Sequence, residues 1–128
     1  MGKIKKREEH LQTAVSTYVK LAYPNVVFTA ESSGIRVPIG IAVKMKQQRS
    51  KHKLPDMIIL EPNAYYNGLI IELKREGTRL KNGNMPKTEH ITEQQKTLDL
   101  LLKKNYYAVF CCGFDEAKKV IDNYMAKL

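Results

Sequence analysis

Apolar residues at Leu11, Ala14, Val15, Tyr18, Leu21 and Ala22 recur every three or four positions between Arg7 and Ala22. That spacing predicts an amphipathic helix, and Pro24 ends it. NVVFTA, residues 25–30, reads as a short strand, and Ser-Ser-Gly ending at Gly34 as a turn. Residues 38–48 predict a short helix opening at Pro38, a residue suited to a first helical position. MIILE from Met57 and LIIEL from Leu69, joined by PNAYYNG, predict an antiparallel hairpin. The polar stretch 75–90 is a loop with a small turn at Asn82-Gly83. ITEQQKTLDLLLKK predicts a helix with Thr92 as its cap, YYAVFCC a buried strand, and FDEAKKVIDNYMAKL a closing amphipathic helix through Ala117, Val120, Ile121, Tyr124 and Met125. Helices and strands in this order imply one α/β domain over residues 1–128, a mixed sheet flanked by helices.

The hairpin carries charges that burial alone does not require. Side chains alternate along LIIELK, so Ile70, Glu72 and Lys74 share one face and Leu69, Ile71 and Leu73 the other. If the two runs pair, Asp56 lies opposite the strand end that bears Glu72 and Lys74. Two readings fit: a Glu-Lys pair on a wet sheet face, or a divalent metal site. Carboxylate oxygens suit a hard cation such as Mg²⁺, which takes phosphate oxygen as a co-ligand. The backbone carbonyl of Leu73 supplies a further oxygen, and Lys74 a compact positive charge for the transition state of phosphodiester attack. On the first helix Glu8 lies at the edge of the apolar stripe and Glu9 points nearly away from it. On the later helix Gln95 shares the face of Leu98 and Leu102 and is expected to look back to the sheet, with Gln94 off to one side.

Charge sharpens this picture. The formal net charge is +9, from 22 Lys and Arg against 13 Asp and Glu. Such a balance favours a polyanionic partner, nucleic acid above all. KMKQQRSKHK, 44–53, holds five Lys or Arg and one His, immediately before Pro55-Asp56; the 75–90 loop follows Lys74. Lys44, Lys46, Arg49, Lys51, Lys53, Arg75, Arg79 and Lys81 are therefore expected beside the site as phosphate contacts, with Arg36 near the scissile region. Tyr65 and Tyr66, at the hairpin tip, are placed either to stack on an unpaired base or to pack in the turn.

Other function classes drop out. No run approaches the ~18 apolar residues of a membrane span, and the basic start leads into no secretory apolar segment, as expected of a soluble cytoplasmic protein. Cys111 and Cys112 are adjacent and point to opposite faces of a strand, which argues against a mutual disulfide; they lack a zinc-ligand spacing.

The sequence resembles the virus-type replication-repair nuclease (VRR-NUC) branch of the PD-(D/E)xK superfamily. The match rests on the order of ExxLQ at 8–12, SGIR at 33–36, LPDMIILEP at 54–62, GLIIELKREGTR at 68–79 and the segment 90–121. The resemblance implies a restriction-endonuclease-like αβββαβ core. It also implies that Asp56, Glu72, Glu8 and the Leu73 carbonyl hold Mg²⁺ or Mn²⁺, that Lys74 is the catalytic lysine, and that Gln95 supports the site. The expected activity is structure-selective cleavage of branched or four-way DNA by a homodimer.

Overall fold

The apolar runs pair into one four-stranded sheet laid out in chain order. The computed structural model describes residues 2–31 and 36–128, with side chains from residue 10 onward. Helix α1 (Gly2–Ala22) leads to strand β1 (Phe28–Ala30), helix α2 (Ile39–Gln47), strand β2 (Met57–Ile59) and strand β3 (Leu69–Lys74). Helix α3 (Glu89–Lys103), strand β4 (Tyr107–Cys112) and helix α4 (Phe114–Met125) complete the chain. The αβββαβ order expected of the core is present, with α2 inserted between β1 and β2 and α4 after β4. The turn expected at 32–34 lies outside the described residues.

Strands β1, β2 and β3 are antiparallel, and β4 joins β3 in parallel. The expected hairpin is therefore real, with Met57 opposite Ile71 and Ile59 opposite Leu69. Alternation divides the sheet between two cores. Met57, Ile59, Leu69, Ile71, Leu73 and Cys111 pack with Val15 and Val19 of α1 and Ile121 and Tyr124 of α4. On the other face Ile70, Ala108 and Phe110 pack against Leu98 of α3.

Helix α1 is stapled to α4 by Tyr18 and Tyr23, whose hydroxyls donate to Asp122 Oδ1 at 2.5 and 2.7 Å. The hairpin loop is tied to α4 as well: Asn63 Nδ2 donates to the Tyr124 carbonyl at 3.1 Å, and Tyr124 Oη donates to the Glu61 carbonyl at 2.5 Å.

One local expectation is corrected. The cap of α3 is Thr88, whose side chain accepts from Ile91 N at 3.2 Å, and the helix opens at Glu89. Thr92 already lies within the helix, donating its own backbone N–H to the Thr88 carbonyl at 2.9 Å. Tyr66 packs on Tyr107 with ring centroids 5.1 Å apart, and its loop joins the end of β2 to the start of β3. That is the end of the sheet opposite Asp56 and Lys74; of the two readings Tyr66 follows packing in the turn, while Tyr65 is exposed.

Both cysteines are free and buried, and burial pushes the Cys111 thiol up to about 12, so it behaves as a small apolar side chain. Among the described residues no helix is long and apolar enough to cross a membrane.

Candidate active site

The hairpin register carries Asp56 to the position opposite Glu72, one step beyond the Met57–Ile71 pair. Pro55 is fully buried before it, which fixes where β2 enters the sheet. Asp56 Oδ2 accepts from Leu73 N at 2.7 Å. The Asp56 carbonyl accepts from Glu31 N at 2.7 Å and from Gln12 Nε2 at 3.2 Å. Gln12 Nε2 also reaches the Glu31 carbonyl at 3.0 Å. One side chain of α1 thus clips the ends of β1 and β2 together at the rim.

Glu72 is 5% exposed, a carboxyl otherwise surrounded by core. Burial is the main cause that pushes it up to about 9; a hydrogen bond with Asp56 and that residue's charge add to the rise, and Lys74 and Lys53 oppose it. Burial and the neighbouring carboxyl thus favour the protonated form of Glu72. Two adjoining carboxyls whose burial and proximity disfavour a second negative charge match the preference of a hard divalent ion, which would offset both.

The Leu73 carbonyl is aimed the same way. The carbonyl of Lys74 accepts from Gly113 N at 2.8 Å, on the β4 side of β3. Peptide groups alternate along a strand, so the preceding carbonyl faces the β2 side, where Asp56 sits. Among the described residues no group of three His, Cys, Asp or Glu is placed to hold an ion. The oxygen set is two carboxyls and a carbonyl, which suits Mg²⁺, an ion that binds through one or two carboxylates and retains waters. Residue 8 lies one turn before Gln12 on α1, but the Glu8 side chain is outside the described residues.

Lys74 is half-buried on the same sheet face, beside Glu72 and opposite Cys112 of β4. Gln95 is not where periodicity put it. It is exposed and donates to Asp99 Oδ1 at 2.8 Å, in a groove shared with Arg79, Met85 and Phe110. The inward stripe of α3 runs through Ile91, Leu98 and Leu101, with Leu102 exposed. Gln94 shares that stripe and its Oε1 is buried with no hydrogen-bond partner. Choosing Leu101 over Leu102 as the inner residue would have found it.

The basic residues separate into two kinds. Arg36, Lys44, Lys46, Lys51, Lys53, Arg75 and Lys81 are exposed. Arg79 is not available to a backbone: its guanidinium pairs with Glu116 and donates to the carbonyls of Gly83 at 3.2 Å and Phe110 at 3.3 Å. The fork geometry of Arg makes it a fastener between the 75–88 loop, β4 and α4. Arg49 is held by Glu31, at 2.8 Å, with the Glu31 side chain only 9% exposed. Glu31 continues the β1–β2 register opposite Asp56. Glu31, Asp56 and Glu72 therefore form a cross-strand row. Nothing in local sequence marked Glu31, because its partners are far away in the chain.

No family model and no curated protein matches the sequence. Among solved structures, one described as a VRR_NUC domain protein is similar to the chain with a TM-score of 0.66 and 27% identity, covering 94% of this chain and 88% of that one. The likeness covers nearly the whole chain and supports a VRR-NUC domain, a nuclease-type domain, on a restriction-endonuclease-like α/β fold.

Proposed function

We propose that this domain is a Mg²⁺- or Mn²⁺-dependent endonuclease that hydrolyses phosphodiester bonds in DNA, selecting its substrate by structure. The observation that carries the reading is the rim pair: Asp56 is oriented by the Leu73 N–H at 2.7 Å and stands in register opposite a buried Glu72, with Lys74 adjoining. A buried carboxyl beside a second, half-buried one has no packing use and is costly to keep, which favours a site over a wet sheet face.

Asp56, Glu72 and the Leu73 carbonyl would hold the divalent ion, with Glu8 completing the set. When bound, the ion supplies a Lewis acid that neutralises charge growing on the phosphate. Lys74 presents its ammonium to the same phosphate and steadies the attacking water or the pentavalent transition state. Water adds to phosphorus, the bridging P–O bond breaks, and the departing oxygen takes up a proton. Gln12 holds the strand ends so that the acids stay in register. Exposed cations on both sides of the rim position the DNA backbone. Gln95, which lies in the groove of α3, would support the substrate rather than the acids.

A homodimer would set two such sites about a twofold axis, matching a four-way junction. Incubation of labelled linear, flapped and four-way DNA with Mg²⁺ or Mn²⁺ tests the reading. Wild type is expected to cut branched DNA preferentially. Asp56→Asn and Lys74→Ala are each expected to lose at least roughly 10²–10³-fold in rate. Cleavage that persists in either variant overturns the assignment, and binding by wild type without cleavage favours a non-catalytic DNA-binding module.

A further inference from the structure

Between residues 36–37 and the C-terminal half of α2 lies a cavity of about 530 Å³ that the rim chemistry does not use. Its volume lies within the roughly 300–1,000 Å³ of small-ligand sites. Val37, Ala42 and Met45 give it an apolar floor, and Arg36, Lys46 and Lys51 stand around it. Arg49, also in its wall, is the residue that pairs with Glu31 at 2.8 Å. Glu31 donates its backbone N–H to the Asp56 carbonyl at 2.7 Å. The cavity wall is therefore fastened one strand away from the candidate catalytic acid, a spacing of about 4.8 Å between strands.

Two features of the lining ask for different parts of one ligand. Cations alone would bind any phosphate and need no apolar floor. An apolar floor is useful to the face of a nucleobase, and in a duplex that face is covered by its neighbours in the stack. Only an unpaired nucleotide can offer a base face and its own phosphate together. The burial pattern agrees with a surface built for a ligand: α2 contains no buried residue, so neither Ala42 nor Met45 is there to complete the core.

Resting on the DNA-cleavage reading above, we propose that this cavity is a subsite for an unpaired nucleotide flanking the scissile phosphate, its base on Val37, Ala42 and Met45 and its phosphate held by Arg36, Lys46 and Lys51. Glu31 is then a positioning residue: by holding Arg49 it keeps the cavity wall beside Asp56. The subsite favours substrates with exposed bases, which is the chemical reason a branch or flap would be preferred to plain duplex.

The test separates this subsite from catalysis by measuring binding without metal. The probes are a short oligothymidylate carrying one 2-aminopurine, and a blunt duplex of the same length. Ala42→Leu fills the cavity and Met45→Ser strips its floor, and neither changes charge. Wild type is expected to bind the single strand with a change in 2-aminopurine emission. Each variant is expected to lose that change and at least about tenfold in single-strand affinity, with duplex affinity unchanged. The proposal is overturned if single-strand affinity stays within about twofold of wild type in both variants, or if single-strand and duplex affinity fall together. Asp56→Asn serves as the separating control. If wild type and this variant share the metal-free binding signature and neither cleaves branched DNA once Mn²⁺ is added, the subsite stands and the nuclease reading fails.

Discussion

At the charged rim, Pro55, Met57, Ile71 and Leu73 are buried around Asp56 and Glu72, and the Asp56 carboxyl and carbonyl are met by donors from β3, β1 and α1. A few residues upstream, α2 buries none of its side chains and leaves Ile39 84% exposed, and the ion pair of Arg49 with Glu31 ties down the turn that follows it. The two regions touch the same proposed substrate yet are built in opposite ways. Groups that share one cation must hold their positions to a fraction of an ångström, and backbone hydrogen bonds over a packed core provide that. Groups that meet a flexible polyanion need charge and reach, and mobility costs them little.

That contrast can be tested through stability. Ile71→Ala, in the core directly under the rim, is expected to lose about 2–5 kcal/mol in urea unfolding, because a fully buried residue leaves a cavity. A smaller loss would show that the rim rests on a less rigid platform than its packing suggests.

Asp122→Asn should have an intermediate effect, through the staple that fixes α1 and with it Gln12. Burial works to raise the Asp122 carboxyl, but hydrogen bonds from Tyr18, Tyr23 and Lys118 outweigh it and hold it below its ordinary value. A depressed folded-state value contributes stability above the unfolded-state range and loses it as pH falls through the folded value. The variant should therefore be about 1–2 kcal/mol less stable near pH 7. The gap should begin to narrow near pH 4, where the unfolded carboxyl takes up a proton, and close as pH falls further through the folded value. Urea midpoints at both pH values check it, and a gap that widens in acid would reverse the sign.

Ile41→Ser on α2 should change unfolding free energy by no more than about 0.5 kcal/mol, the ordinary result for an exposed position. A loss of several kcal/mol would mean that something covers this face in solution and would shrink the difference between the two regions.

Much of this was legible in the chain. Alternation in LIIELK put Glu72 and Lys74 on one face and Leu73 on the other, and the hairpin turn then forced Asp56 toward them, because register follows once one face must be buried. Helix faces were less legible. On α3, Leu101 and Leu102 are both apolar, and choosing the wrong one as the inner residue turned the helix enough to exchange Gln94 and Gln95. Arg79 looked like its exposed neighbours because Glu116, which uses up its fork, lies 37 residues away.

By itself the sequence determined the element order, the polar rim at the end of an apolar hairpin and the positive balance, since all three follow from local periodicity and residue chemistry. Only the tertiary structure decided that Glu31 stands in line with Asp56 and Glu72, that Gln12 clips the strand ends, and which arginines are spent on the fold. Those facts depend on distant segments meeting across the sheet, and an edge strand of three residues carries too little pattern to announce what it will lie beside.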